Sequence, residues 1–147
     1  TIMSLTGLLV GWRIRGSVLD ALVGFGLLLF FAYAFSWVMA CVGLLVPTPE
    51  VINNASFVVL FPVTFIANTF VPAENLPGVL RTFAEWNPVS TLTQASRERF
   101  GNIPPGTPEP TSWALQNSTL YTLFWTVLVI AIFAPLATRL YGRASAR

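Results

Sequence analysis

Residues 17–46 read SVLDALVGFGLLLFFAYAFSWVMACVGLLV, and this stretch decides the fold class. After Asp20, no charged side chain appears until Glu50. A helix needs about 20 apolar residues to cross the hydrocarbon core of a bilayer, whereas soluble-domain helices average about 11–12 residues. A run this long and this apolar predicts a membrane-spanning helix. Its ends are marked as well. Ser17 stands where an N-cap belongs, Asp20 places a carboxylate in the first turn, and Pro47 closes the run.

The composition points the same way. Of 147 residues, 54% are hydrophobic and 10% charged, and the mean hydropathy is +0.69. A soluble domain carries about 25% charged residues. With so few charges, a water-soluble fold would expose broad apolar patches. The net charge is only +2 and the basic residues are all Arg, without the clustered basic face that nucleic acid requires. Cys41 stands alone, which excludes an intrachain disulfide and a cysteine-based metal site. The absence of His removes a histidine zinc site and a Ser–His couple. No Gly-rich phosphate loop is present, so this chain is expected neither to hydrolyse nucleotide nor to bind a cofactor.

Outward from the first run, residues 1–12 are apolar but too short to span, and read as the end of a truncated span. Because Thr1 sits inside that run, the numbering is expected to begin part-way through a longer protein. A short turn with Gly11, Arg13, Arg15 and Gly16 follows. Residues 51–71 read as a further span, the most polar one, kinked at Pro62. Its polar groups either glue helices together or line a water-filled path. Asn53, Asn54, Thr64 and Asn68 are the polar candidates, and Phe57, Phe61 and Phe65 form an apolar stripe at a spacing of four.

Residues 72–101 carry too many charges for open hydrocarbon, yet keep helical periodicity. Leu76, Val79, Leu80, Phe83 and Trp86 mark one face, and Arg81 and Glu85 are spaced to pair on another. Asn87-Pro88 ends this helix and starts a second, whose less polar face would be Leu92, Ala95, Ser96 and Phe100. Two short amphipathic helices, external or re-entrant, are therefore expected before the last span. Residues 102–111 hold Pro104, Pro105, Pro108 and Pro110 and read as an exposed loop. Residues 119–138 form the last span, and residues 139–147 a basic tail placed in the cytoplasm by the positive-inside tendency. The expected fold is an all-α membrane bundle: the end of one span, three full spans and the two external helices.

In chain order, Phe70-Val71-Pro72, Leu76-Pro77, Asn87-Pro88-Val89-Ser90 and Ala95-Ser96-Arg97 resemble the membrane subunits of ATP-binding-cassette type-2 exporters. The daunorubicin- and multidrug-resistance branch is the most similar. The turn at Gly11-Trp12-Arg13 is also similar to that family's short loop between its third and fourth spans. The resemblance covers about residues 7–140. It departs at Ala67-Asn68-Thr69, where the family often has a Ser-Gly step, and in a longer Pro-rich loop.

The resemblance implies a permease that dimerises, as a homodimer or heterodimer, in a bacterial inner membrane. A separate ATPase subunit would hold ATP and Mg. Phe70, Pro72, Leu76, Pro77, Asn87, Pro88, Ser90 and Arg97 would then belong to an external gate. Asn53, Asn54, Phe57, Phe61, Thr64, Phe65 and Asn68 would line the path of an amphipathic drug-like or lipid-like substrate. Competing readings are a polysaccharide or lipid exporter of the same superfamily, and a membrane scaffold without transport.

Overall fold

The computed structural model describes residues 2–46, 48, 50, 51, 53, 54, 57, 58, 61, 64, 67, 77–103 and 105–145. Six helices are delimited: α1 (Ile2–Leu9), α2 (Val18–Leu45), α3 (Gly78–Trp86), α4 (Pro88–Phe100), α5 (Trp113–Gln116) and α6 (Ser118–Ser145). No strand occurs among the described residues, so the chain is all-α.

Ser17 caps α2: its side chain accepts from Asp20 N at 3.1 Å, and its hydroxyl donates to Asp20 Oδ2 at 2.6 Å. From there α2 runs unbroken, apolar on every side. Helices of this kind are either buried on all sides or dissolved in lipid. Only 17% of the most apolar window of α2 is buried, and 22% of that of α6. The core helix of a soluble protein would be mostly buried. Lipid is the solvent that fits, and α2 and α6 are both long enough to cross it.

Helix α3 makes the same point more sharply because it is inside out. Its apolar stripe faces outward, with Val79 87% exposed and Leu80, Phe83 and Trp86 also exposed. Opposite that stripe lie the buried Ala84 and a partly exposed pair in which Arg81 Nε donates to Glu85 Oε1 at 2.8 Å. Arg81 also donates to Thr111 Oγ1 across the loop. In water this orientation would be reversed, because burying the stripe would stabilise the fold by roughly 25 cal/mol per Å2. Against an apolar solvent that drive vanishes, and the charges turn towards protein partners instead.

Helices α2 and α6 lie side by side and run the same way. Helix α4 packs on the first turns of both. At the opposite end Cys41 Sγ donates to Phe133 O at 3.5 Å. There Trp37, Ala40 and Leu44 face Ala137, Thr138 and Tyr141 across a groove of about 250 Å3. Buried positions along the pair include the small Ala34, Cys41 and Ala137, the kind of residue that lets helix backbones approach closely in lipid. Pro135 interrupts the α6 ladder, and Thr138 Oγ1 donates to its carbonyl at 2.9 Å. The helix continues through Arg139 and Arg143.

Two parallel neighbours require the chain to return between them. Between them in sequence, Glu50, Val51, Asn53, Asn54, Phe57, Val58, Phe61 and Thr64 are helical. Most of the polar stretch at 51–71 lies outside the described residues, so two rather than three spanning helices are delimited among them.

Candidate functional site

The α3–α4 joint carries its own punctuation. Asn87 is buried and its Oδ1 accepts from Val89 N at 2.9 Å, while Pro88 occupies the first helical position. At the far end Gly101 adopts φ 64°, a left-handed cap that favours glycine. Its N–H reaches the Arg97 and Glu98 carbonyls. Helix α4 is thus a short rod with fixed ends, laid from the start of α6 to the start of α2.

Its C-terminal end is clasped by the α1–α2 turn. Arg15 N donates to Phe100 O at 2.9 Å. Arg99 Nη1 donates to Asp20 Oδ1 at 3.1 Å, an ion pair between elements 79 residues apart. In the orientation that satisfies both groups, the Asn102 amide donates to Arg13 O at 3.1 Å and accepts from Trp12 Nε1 at 2.9 Å. The Phe100 ring meets Trp12 edge-on at 5.5 Å and Phe25 at 5.1 Å. Two glycines make this approach possible. A Cβ on Gly16 would overlap the Arg99 carbonyl oxygen, and one on Gly24 would stand 2.8 Å from Phe100 Cε1.

The other side of α4 meets α6 through a polar seam. Ser118 Oγ donates to Glu98 Oε2 at 2.7 Å, and Gln94 Nε2 donates to Glu98 Oε1 at 2.9 Å. One turn along, Thr122 Oγ1 donates to Thr91 Oγ1 at 3.1 Å, and the Thr91 hydroxyl donates to Pro88 O at 3.0 Å. Ser90, Thr91, Gln94, Ser118, Thr122 and Thr126 are all buried. Of the less polar face expected at Leu92, Ala95, Ser96 and Phe100, Ala95 and Phe100 are buried and Leu92 and Ser96 are half-buried. Hydroxyl and amide groups displace them, because a buried polar group with a partner in lipid costs little and one without costs much.

Aromatic side chains gather beside the seam. Tyr121 donates its hydroxyl to Trp86 O at 3.1 Å, and Trp86, Trp113 and Trp125 stand edge-on around its ring. Such amphipathic rings favour the membrane–water boundary.

The candidate residues fall into three groups. Asn87, Pro88 and Ser90 stand at the start of α4 and Arg97 in its last turn, with Asn87 and Ser90 buried and the Arg97 carbonyl capped by Gly101 and Asn102. Pro77 is exposed at the N-cap of α3. Asn53, Asn54, Phe57 and Phe61 are exposed, and Thr64 is half-buried with its hydroxyl donating to Phe61 O at 3.2 Å. Phe65, Asn68, Phe70, Pro72 and Leu76 lie outside the described residues. No group of three His, Cys, Asp or Glu side chains assembles among the described residues. Sequence reasoning passed over Gly16, Gly24, Ser118, Thr122 and the Asp20–Arg99 pair, because each acquires its role from a distant segment.

The profile of the ABC-2 type transporter family matches residues 1–100. Over 148 aligned residues the chain is 33% identical to the daunorubicin resistance ABC transporter permease protein DrrB1 of Streptomyces coeruleorubidus. The match takes in 95% of this chain and 46% of that permease, so the chain spans about half the length of its relative. No solved structure matches it. The helical fold, its lipid-facing helices and these two matches lead to one conclusion: the chain belongs to the ABC-2 type transporter family.

Proposed function

We propose that the chain forms part of the membrane-spanning subunit of an ATP-driven exporter, in which it helps build the path for an amphipathic drug-like or lipid-like substrate. The observation that supports this most is the identity to a drug-resistance permease along nearly the whole chain. The ATPase is a separate subunit holding ATP and Mg, and the permease pairs with a second permease in a bacterial inner membrane. The α4 end of the bundle is external and the Arg139–Arg143 end cytoplasmic. On this reading Asn53, Asn54, Phe57, Phe61, Thr64, Phe65 and Asn68 face the path. The external gate comprises α3, α4 and the segment leading into them, with Phe70, Pro72, Leu76, Pro77, Asn87, Pro88, Ser90 and Arg97. ATP binding on the partner rocks the spans and releases substrate outward.

The test is transport by the full-length protein, reconstituted into liposomes with its partner ATP-binding-cassette ATPase. An amphipathic fluorescent cation is expected to move only with ATP and only with an ATPase that can hydrolyse it. Equal movement with and without ATP would contradict the proposal. Stimulation of the ATPase by polysaccharide or lipid alone would replace the drug-like substrate class.

A further inference from the structure

We infer that α4 and the first turns of α2 move as one body, and that the transport stroke slips along the α4–α6 seam; this rests on the export reading. The two interfaces of α4 are built differently. Against α2 and its preceding turn, the contact is made by backbone. Arg15 N binds Phe100 O, the Gly16 backbone lies against the Arg99 carbonyl, and Gly101 packs on Arg15 and Gly16. No rotamer change can loosen these contacts; the chain itself would have to separate. The Asn102 bridge, the Arg99–Asp20 pair and the rings around Phe100 close the same joint from other directions.

Against α6 the contact is between side-chain hydroxyls and one carboxylate. Thr91 meets Thr122, and Ser118 and Gln94 share Glu98. Each hydroxyl can donate or accept and can rotate to a new partner. Thr122 and Thr126 are stacked one turn apart on α6, with the Thr126 hydroxyl held meanwhile by Thr122 O at 2.7 Å. A displacement of α4 by a helical turn would exchange one threonine partner for the next. Discrete shifts of this sort, from about 1–2 Å up to a turn of 5.4 Å, are how packed helices change state. Because α1 feeds directly into the clasping turn, movement of the α1–α2 pair would carry α4 with it.

Spin labels test this at exposed positions that leave both interfaces intact. Ile103 follows the clasp, Leu19 lies on α2 and Leu120 on α6. Labelled protomers of the full-length complex are diluted into unlabelled ones, with Cys41→Ala and every other native cysteine of the full-length protein replaced as well. Between the nucleotide-free and ATP-trapped states, the 19–103 distance is expected to stay constant. The 103–120 distance should change by roughly 2–5 Å. A change in the first distance, or constancy of both, would overturn the inference. A Thr91→Cys/Thr122→Cys pair adds an activity readout: oxidation should reduce export to its level without ATP, and reduction should restore it. Full export from the oxidised pair would also overturn the inference. The distances decide the rigid-body claim whether or not export is seen, so the two readings fail separately.

Discussion

Helix α4 packs on both long helices, and the chain joins it to them by opposite means. Toward α2 it presents main-chain atoms and a ring packed against glycine. Toward α6 it presents hydroxyls, an amide and a carboxylate. The first contact tolerates no added atom, while the second tolerates exchange of partners. The difference follows from the solvent. In lipid, apolar burial gives helices no reason to associate, so close packing at small residues and interhelical hydrogen bonds hold them together.

Substitutions can break this contrast, starting with the largest effect. Gly16→Val drives a branched side chain into the Arg99 carbonyl, and overpacking of this kind costs about 1–3 kcal/mol. A value at the upper end is expected, read as a drop in thermal midpoint of the full-length protein in nanodiscs. Gly24→Ala is milder. The added methyl meets the Phe100 ring, which Trp12 and Phe25 hold in place, and the helix gains about 1 kcal/mol of propensity in return. A net loss on the order of 1 kcal/mol is expected, against no loss for Gly26→Ala, where nothing lies within 4 Å. Equal behaviour of the two alanines would remove the clasp from the account.

At the seam the effects are smaller. Thr122→Val removes one interhelical hydrogen bond, worth about 0.6 kcal/mol on average in a membrane. Its expected signature is a modest fall in midpoint with a clear change in transport rate. Smallest of all is Asp20→Asn. The Asp20 and Arg99 side chains are 39% and 37% exposed, so their attraction is largely screened by water and salt. Only a slight destabilisation is expected, disappearing in high salt. A large, salt-independent loss would mean the ion pair, rather than the backbone contact, holds the joint.

Local rules made parts of this legible in the sequence. The Ser17 cap, the Asn87-Pro88 start of α4 and the Arg81–Glu85 pair depend on residues within four positions of one another, and the apolar run of α2 on one contiguous segment. The stripe at Val79, Leu80, Phe83 and Trp86 was legible as a stripe. Its outward orientation follows from the solvent, which the composition had already indicated. Long-range geometry was not legible. Nothing near Gly16 or Gly24 announces that Arg99 and Phe100 will press against them, and no spacing links Ser118 to Glu98. Polarity in a sequence does not reveal whether a partner is waiting, so the seam partners of Ser90, Thr91 and Gln94 were not legible.

The central claim is that the outward faces, that of α3 included, are dissolved in lipid while charge turns toward protein. Collision accessibility of spin labels on the full-length protein in liposomes tests it most directly. Labels at Val79 and Phe83 should meet oxygen readily and a water-soluble nickel chelate rarely, with a label at the exposed Glu109 showing the reverse. Nickel accessibility at 79 and 83 matching that at 109 would contradict the account.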